Sequence, residues 1–383
     1  MSFKECWRQN GEWFSDGGFP LQIASIGSLF QRVKLMIVET AVRAGGIPLP
    51  AGTEVIPIPR PQATGFGRKL WVAAHAVSYI RQFVPRMLAA DVVHVPLPGD
   101  LPLLGLLTAT ALRRRVIARY GGSWRTNSQT TYMNRVTRSL MSALAGGRHV
   151  MLVAGDEEGR PAAHLHWLFS TALRNDELRR IPAVTRASLQ YPPRACYIGR
   201  LSPEKGVAIL IRAIAGLERR GLQPVPDVTI IGDGPERRRL EQLAASLDCA
   251  SRFTFVGQVD RTELTEHLVR QDFCIHPSST ESICKAWVDA MAHGLPIVCA
   301  DVGSAPRAIS TNGCRGWLVR PDDEDALADG IHGAIVHTTD WPSLRRRCRT
   351  YAEEHTLDRW TEQIGQICAA QWHWKYSEGK LVA

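Results

Sequence analysis

The second half of the sequence repeats one pattern, a short apolar run followed by a longer amphipathic stretch. Six apolar runs are predicted to be buried strands, at residues 195–198, 228–231, 253–256, 273–276, 297–300 and 317–319. Strands that alternate with helices predict a parallel sheet with right-handed crossovers, because parallel neighbours cannot be joined by a tight turn. The sequence therefore predicts an α/β fold with a doubly wound sheet in this half.

The first half carries a fainter form of the same pattern. Its predicted strands are residues 33–38, 54–58, 92–95, 116–118 and 150–153. A chain of 383 residues with 45% hydrophobic content can bury two cores, so two domains are expected. We place them at residues 1–190 and 191–350, with a linker across residues 155–193 and a C-terminal helix and tail at 351–383.

A helix start is predicted after the strand at residues 273–276. Residues 278–282 supply hydroxyls and a carboxylate where the helix should begin. Backbone N–H groups around Ile283, Cys284 and Lys285 would then point above the strand, where the helix dipole favours an anion such as a diphosphate. This pattern predicts a ligand site at the helix start.

Two carboxylates are joined through this helix. Glu281 precedes it and Asp289 follows eight residues later, so the two side chains are predicted to lie about 80° apart around the helix axis. They would contact different parts of one extended ligand. The alternative interpretation is structural, with Glu281 as a helix cap and Asp289 as a solvated charge.

Two more strand ends carry groups suited to a ligand. Arg200 and Lys205 follow the strand at residues 195–198, and open α/β sheets bind ligands at this carboxyl edge. Gly232 and Gly234 follow the next strand and let the backbone approach a ligand closely. Three such turns in one sheet form a combined signal that chance seldom produces.

These motifs resemble those of the glycosyltransferase family 4 group of GT-B enzymes, which move a sugar from a nucleotide-sugar to an acceptor with retention at the anomeric carbon. The resemblance is strongest from about Tyr197 to Asp329. It is carried by Gly199-Arg200-Leu with Glu204-Lys205-Gly206, Gly232-x-Gly234-Pro235, Phe253-x-Phe-Val-Gly257, Ala290-Met-Ala-x-Gly-x-Pro296 and the Glu-x7-Glu motif, matched here by Glu281 and Asp289. The resemblance implies the GT-B fold, in which two Rossmann-like doubly wound domains face a cleft and a C-terminal helix crosses back to the first domain.

The resemblance also implies roles for individual residues. Glu281 would face the donor sugar, Arg200 and Lys205 would hold the donor diphosphate as catalytic residues with Glu281, and Asp289 would bond the ribose. The implied donor-binding residues are Arg200, Lys205, Gly232, Gly234, Val256, Ile283, Cys284 and Asp289. Asp289 departs from the family motif and reaches less far than glutamate. Because fixed cations can stabilise the leaving group, no metal or cofactor is expected, and the nucleotide-sugar is a substrate.

The acceptor side is assigned to the first half. Gly17 and Gly18 resemble the glycine loop of the family, and Tyr120 stands where a histidine is frequent. Trp124 and Arg125 would bind a sugar or phosphate beside it, although core packing is an equal alternative for these side chains. Residues 1–14 lack the strand pattern expected before the glycine loop, so either the first strand is missing or the true N-terminus lies upstream.

Charge is distributed unevenly along the chain. Residues 1–190 hold 23 Lys and Arg against 12 Asp and Glu, whereas residues 191–383 hold 23 against 25. The basic half predicts an acidic partner such as an anionic membrane surface or a lipid-linked diphosphate. The densest clusters are Arg113-Arg-Arg115 with Arg119 and Arg125, and Arg135 with Arg138. The alternative is that these arginines are solvated faces. No apolar stretch reaches the roughly 18 residues of a membrane span, so the expected location is cytoplasmic, or peripheral on the inner face of the membrane.

Cysteines and histidines lack metal-binding patterns. The nine cysteines show no Cys-x-x-Cys pairing and several fall in apolar strands, so they are predicted to be reduced packing residues. His164-x-His166 has no further ligands at metal spacing.

The combined prediction is a retaining glycosyltransferase (hexosyltransferase class) of bacterial envelope or exopolysaccharide biosynthesis. Its expected partners are a nucleotide-sugar donor and a glycan or lipid-linked acceptor, without nucleic acid. Two alternatives stay open: another GT-B chemistry, such as a nucleotide-sugar epimerase, and a non-catalytic GT-B relic that binds anionic lipid or nucleotide.

Overall fold

The chain divides into two compact units. The computed structural model describes all residues except 1–4, 16, 43–45, 63–64, 123, 125–129, 155–163, 169–170, 282–283, 311–314 and 338–339, together with the side chains of Phe66 and Ser310. The first unit comprises residues 1–172 and 357–383, and the second comprises residues 173–356. The division thus lies at residue 172, whereas the sequence placed it at residue 190.

Most of the first unit precedes the second along the chain. Its elements are β1 (Glu5–Gln9), β2 (Glu12–Ser15), α1 (Phe19–Ser28), β3 (Lys34–Glu39), β4 (Ile47–Pro48), β5 (Glu54–Ile58), α2 (Gly65–Ala74), α3 (Ala76–Leu88), β6 (Val92–Leu97), α4 (Asp100–Ala111), β7 (Arg115–Tyr120), α5 (Tyr132–Leu144), β8 (His149–Ala154) and β9 (Leu165–Leu168). They form a five-stranded sheet, ordered β4-β2-β1-β3-β5, and a four-stranded parallel sheet, ordered β6-β7-β8-β9.

A β-hairpin occupies the stretch in which no strand was expected. Strands β1 and β2 pair antiparallel around Asn10 and Gly11, whose φ angles of 52° and 84° suit a two-residue hairpin turn. Cys6 and Trp7 of β1 are fully buried. The expectation that residues 1–14 lack strand structure is therefore wrong for the hairpin, and the Asn-Gly pair was the signal that could have revealed it.

Part of the predicted linker is also structured. Strand β9 pairs parallel with β8 and buries Leu165 and Leu168, so residues 155–193 do not form one continuous linker. The apolar alternation of this short strand was too weak to distinguish from loop sequence.

The second unit contains the predicted parallel sheet. Its elements are α6 (Asn175–Arg180), β10 (Arg194–Ile198), α7 (Val207–Arg219), β11 (Asp227–Ile231), α8 (Arg237–Ser246), β12 (Phe253–Gly257), α9 (Arg261–Leu268), β13 (Phe273–His276), α10 (Lys285–Ala292), β14 (Ile297–Ala300), β15 (Gly316–Val319), α11 (Glu324–His337) and α12 (Trp341–Glu354). The strand order is β12-β11-β10-β13-β14-β15, and every pair is parallel. This is the doubly wound order 3-2-1-4-5-6.

The C-terminal segment returns to the first unit. It consists of α13 (Leu357–Trp372) and the hairpin strands β16 (Lys375–Ser377) and β17 (Lys380–Val382). Trp360 and Ile364 of α13 share a buried apolar cluster with Ile117 and Leu152, and Trp372 is buried in the same cluster. Within the described ranges, every helix is too short or too polar to cross a bilayer.

Candidate functional site

The sheet of the second unit has a switch point between β10 and β13. From β10 the chain winds outward through α7 to β11, whereas from β13 it winds the opposite way through α10 to β14. The loop at residues 199–206 and the loop that begins at residue 277 therefore belong to crossovers that wind in opposite directions. Doubly wound sheets bind their ligands at such a switch point, beyond the carboxyl ends of the strands.

An ion pair joins the two loops across the switch point. The Lys205 ammonium donates a hydrogen bond to Oε1 of Glu281, although the two residues lie 76 positions apart. The side chain of Lys205 is 23% exposed and that of Glu281 only 9%. Two of the three predicted catalytic residues are thus brought together with their charges compensated but still in contact with solvent.

Glu281 lies three residues before the N-cap of the following helix. Helix α10 begins at Lys285, its N-cap is Cys284, and that residue makes no side-chain capping bond. Residues 282 and 283, which a cap at Glu281 would contact, lie outside the described residues. The described bond of the Glu281 carboxylate is to Lys205.

The two loops are tied together through their backbones as well. Ser279 donates its N–H to the Glu204 carbonyl at 3.0 Å. Gly206 has a φ of +69°, and a Cβ at this position would lie 2.2 Å from the Pro277 carbonyl oxygen, so only glycine fits. The Ser202 hydroxyl donates to the Glu204 carboxylate at 2.6 Å and lowers the pKa of that carboxyl group.

Gly232 and Gly234 pack against the turn that carries Arg200. A Cβ on Gly232 would lie 1.9 Å from the Gly199 carbonyl oxygen, and one on Gly234 would lie 2.2 Å from that of Leu201. The close approach that these glycines permit is thus to the backbone of the arginine turn. Any larger residue at position 232 or 234 would displace the turn, so glycine at both positions helps to hold Arg200 at the sheet edge.

Arg200 itself presents an exposed side chain on a fixed backbone. Its carbonyl accepts a hydrogen bond from the Tyr197 hydroxyl at 3.1 Å. Val256 lies at the same edge of the sheet, half-buried in the penultimate position of β12.

Asp289 is paired with an arginine that the sequence did not reveal. Nη1 of Arg261, at the start of α9, donates to Oδ1 of Asp289 at 2.8 Å, and the same guanidinium bonds Glu177 of α6. Burial alone would lower the pKa of Arg261. The negative charges of Asp289 and Glu177 have the larger combined effect, so the pKa of Arg261 is raised. No local pattern connects Arg261 with Asp289, since the two residues lie 28 positions apart in the chain.

A buried polar group also missed by the sequence adjoins Glu281. The His276 imidazole lies 3.0 Å from the Ile198 carbonyl oxygen through Nε2 and 3.2 Å from the Ser278 hydroxyl through Nδ1. Burial lowers the pKa of His276 and raises that of the neighbouring Cys284 thiol well above its usual value. A histidine ending an otherwise apolar strand was the available signal.

His276, Glu281 and Cys284 form the cluster whose donors could hold a metal. Their ligand atoms lie within 4.8 Å of one another. This donor set suits zinc, but the carboxylate already bonds the ammonium of Lys205. A metal would have to displace that cation.

The predicted acceptor residues lie in the first unit. Gly17 and Gly18 form the turn between β2 and α1. Tyr120 is 1% exposed and packs edge-on against Trp124 with ring centroids 5.4 Å apart, as core packing requires. Arg125 and the predicted donor residue Ile283 lie outside the described residues.

Comparison with known proteins agrees with this arrangement. Residues 186–355 match the family model described as glycosyl transferases group 1. This part of the chain is therefore similar to the glycosyl transferases of group 1. It contains the whole switch point, including both loops and the Lys205–Glu281 pair.

Individual proteins and solved structures are also similar to this chain. A glycogen synthase of Mycobacterium tuberculosis is 31% identical over 189 residues, which are 49% of this chain and 44% of that protein. The chain thus spans about half the length of the curated relatives it matches. Sucrose-phosphate synthase from Thermosynechococcus elongatus aligns with a TM-score of 0.67 at 19% identity, covering 97% of this chain and 96% of the other. Alr3699/HepE of Anabaena, solved with UDP and glucose, aligns with a TM-score of 0.64 at 18% identity, covering 95% and 98%. The fold is GT-B, as the sequence predicted.

Proposed function

We propose that this protein is a glycosyltransferase that moves a sugar from a nucleotide-sugar to an acceptor with retention at the anomeric carbon. The ion pair of Lys205 and Glu281 at the switch point is the observation that carries the proposal. It sets a cation and a carboxylate side by side where a doubly wound sheet binds ligands. Alr3699/HepE, which shares the fold, was solved with UDP and glucose.

The cations at this edge suit a diphosphate leaving group. Negative charge grows on the nucleoside diphosphate as the glycosidic bond breaks, and a fixed cation stabilises that charge without reorganisation. Arg200 is exposed to receive phosphate oxygens, and Lys205 is oriented by Glu281. The Glu281 carboxylate then faces the sugar and stabilises positive charge at the anomeric carbon.

The acceptor in this proposal is a glycan or lipid-linked glycan of an envelope or exopolysaccharide pathway. Support comes from the basic first half of the sequence and from the glycogen synthase relative, whose name indicates a glycan product. The donor is bound by the second unit and the acceptor by the first.

The proposed function is tested with a panel of nucleoside diphosphates. One of them should raise the melting temperature, because binding only to the folded state stabilises it. The matching nucleotide-sugar should then be hydrolysed slowly, with retained configuration in the first sugar released. Binding without hydrolysis or transfer would favour the non-catalytic alternative. Absence of nucleotide binding would reject the transferase and leave only a relic that binds anionic lipid.

The proposed contact between Asp289 and the ribose of the donor can be tested separately. Asp289→Ala should weaken nucleoside diphosphate binding about tenfold, through loss of a charge-assisted hydrogen bond to the ribose, while turnover at saturating donor changes little. Calorimetric titration measures the affinity. Asp325→Ala, on the exposed face of α11, is the matched control. Equal affinity in Asp289→Ala and the control would limit Asp289 to pairing with Arg261.

Fixed cations make turnover independent of a divalent metal in this proposal. Exhaustive treatment with EDTA should therefore leave turnover within twofold of the untreated protein. Mass spectrometry before and after treatment reports bound metal. A loss of activity that zinc restores would show that the reaction needs a metal, and His276, Glu281 and Cys284 would be its candidate ligands.

Membrane docking through the first half is a further part of the proposal, and the structure restricts which arginines are available. Arg114 bonds the Ala90 carbonyl, and Arg115 lies 4.7 Å from the centre of the Trp374 ring. Arg113 and Arg135 are exposed. Of the basic clusters noted in the sequence, these two side chains are best placed to contact anionic lipid.

The double variant Arg113→Ser/Arg135→Ser should bind acidic vesicles at least about tenfold more weakly than the parent, since each basic residue near the surface contributes about 1 kcal/mol. Parent binding should also fall with added salt, which screens exposed charges. Vesicle flotation measures both effects, with neutral vesicles as the control. Equal binding to acidic and neutral vesicles would remove membrane docking from the proposal.

A further inference from the structure

Arg261 joins three helices at the carboxyl edge of the sheet in the second unit. It is the first residue of α9, which follows β12, and the N-cap Asp260 fixes this turn through a capping box with Glu263. From this fixed base the guanidinium donates to Glu177 of α6 at 2.5 Å and to Asp289 of α10 at 2.8 Å. One side chain thus positions carboxylates from two other elements.

The Asp289 carboxylate is directed toward the same edge. Asp289 is the fifth residue of α10, about 6 Å from the start of a helix that follows β13, and helical side chains tilt toward the N-terminus. Arg261 occupies Oδ1 of Asp289, whereas Oδ2 has no hydrogen-bond partner in the described part of the chain. The Asp289 side chain is 18% exposed, so this second oxygen is open to a ligand.

The charges around Arg261 favour hydroxyl groups over phosphate as the ligand at this place. One guanidinium lies between the carboxylates of Glu177 and Asp289, so one positive and two negative charges give a sum of −1. A phosphate would be repelled here, whereas a sugar hydroxyl can donate to the open carboxylate oxygen. The cations suited to phosphate, Arg200 and Lys205, follow another strand of the sheet, β10.

We propose that Arg261 is a positioning residue, which holds Asp289 for the ribose of the donor and so makes the site select ribonucleotides over 2′-deoxyribonucleotides. The inference rests on the proposed function, which assigns Asp289 to the ribose. An aspartate held through one oxygen keeps few rotamers, so it accepts a hydrogen bond from the ribose at little further entropic cost. A donor without the 2′-hydroxyl loses a charge-assisted hydrogen bond to this carboxylate.

A purely structural role for Arg261 gives a different expectation. The Arg261 side chain is 46% exposed, and ion pairs with such exposed partners contribute little to the stability of a fold. If the pair only stabilised the fold, its loss would change the affinities for all nucleotides by the same factor. Loss of a positioning contact weakens only the binding of ligands that carry the hydroxyl, so the ratio of two affinities separates the two roles.

The test compares a ribonucleoside diphosphate with its 2′-deoxy counterpart by calorimetric titration of the full chain, with the base that the nucleotide panel selects. The parent should bind the ribose form at least about tenfold more tightly, as one charge-assisted hydrogen bond requires. In Arg261→Met the ratio should fall to within about twofold, through weaker binding of the ribose form. Arg261→Lys should keep part of the ratio, because the ammonium retains a donor for Asp289.

Arg220→Met is the matched control for these variants. Arg220 also lies between two carboxylates on the surface of the second unit, those of Asp325 and Asp329 of α11. Its replacement removes the same kind of ion pair without touching the carboxyl edge at Asp289. The ratio of the two affinities should therefore equal that of the parent.

Loss of the ratio in both Arg261→Met and Asp289→Ala, with the ratio intact in Arg220→Met, supports the proposal. Equal weakening of both nucleotides in Arg261→Met would assign Arg261 a structural role alone and overturn it. A parent that binds both forms equally would show that Asp289 does not select the 2′-hydroxyl, which overturns the inference but leaves the proposed transferase standing. Absence of binding by every nucleoside diphosphate would reject the proposed function and this inference with it.

Discussion

Lys205→Met should lower turnover at saturating donor by at least about 10²-fold, equivalent to about 3 kcal/mol of lost transition-state stabilisation. The ammonium is oriented by Glu281, and its proposed target is the leaving diphosphate, whose charge appears only as the bond breaks. An interaction realised mainly in the transition state affects turnover more than donor affinity. Steady-state kinetics with the donor identified by the nucleotide panel measure both quantities.

Arg200→Ala should produce a comparable loss with less disturbance of the fold. The Arg200 side chain is exposed, whereas its backbone is held by the Tyr197 hydroxyl, so truncation removes the cation and leaves the turn in place. Lys205→Met differs, because it leaves the 9%-exposed carboxylate of Glu281 without its cation and should lower stability as well. Melting curves separate the two effects.

A double-variant cycle tests whether the ion pair acts as one unit. Glu281→Gln alone should also reduce turnover strongly, and Lys205→Met/Glu281→Gln should cost much less than the sum of the single losses, as for residues that serve one step. Arg320→Met, at a side chain 78% exposed on the same unit, is the matched control. Folded Lys205→Met protein with turnover within threefold of the parent would refute the diphosphate clamp.

Local periodicity predicted much of the fold because the inner strands β13 and β14 of the second sheet are buried along their whole length. The continuous apolar run at residues 297–300 matches β14, and the order of strands and helices follows from their alternation. Where strands are short or half-exposed, the pattern fails. Strands β1, β2 and β9 escaped prediction because turn chemistry and pairing partners, rather than apolar runs, define them.

The candidate site was predicted as a set of positions, but its contacts were not. Lys205 and Glu281 both follow strands, which places them at one sheet edge, yet their ion pair depends on how two loops meet. Arg261 illustrates the limit more clearly, since its pairing with Asp289 joins side chains of two different helices, 28 positions apart. Such pairs carry no signal in a single sequence.

Asp272 is another residue without a local sequence signal, and its replacement should have the largest effect on stability. It immediately precedes β13, at the edge of the sheet opposite the candidate site, and its side chain is fully buried. The carboxylate accepts backbone N–H bonds from Gln190 at 3.2 Å and Arg194 at 3.0 Å. It also lies beside the guanidinium groups of Arg186 and Arg345.

Removing this carboxylate would leave a buried cation without its counter-charge. Arg345 is 2% exposed, and burial lowers its pKa to about 10, so it stays charged at neutral pH and depends on Asp272 for compensation. Breaking a buried charge pair from one side costs about 3–5 kcal/mol. Asp272→Ala should therefore lower the free energy of unfolding by that amount, measured by urea titration with a probe in the second unit.

The position of Asp272 makes the expected defect one of stability alone. Since the residue lies at the amino edge of the sheet, folded Asp272→Ala protein should bind nucleoside diphosphate with the affinity of the parent. Asp325→Ala, whose side chain is 75% exposed beside Arg220, should change the free energy of unfolding by no more than about 0.5 kcal/mol. Arg345 also donates hydrogen bonds to the backbone carbonyl groups of Asp272 and Gly294. A loss below about 1 kcal/mol in Asp272→Ala would mean that these two bonds stabilise the Arg345 guanidinium without the carboxylate.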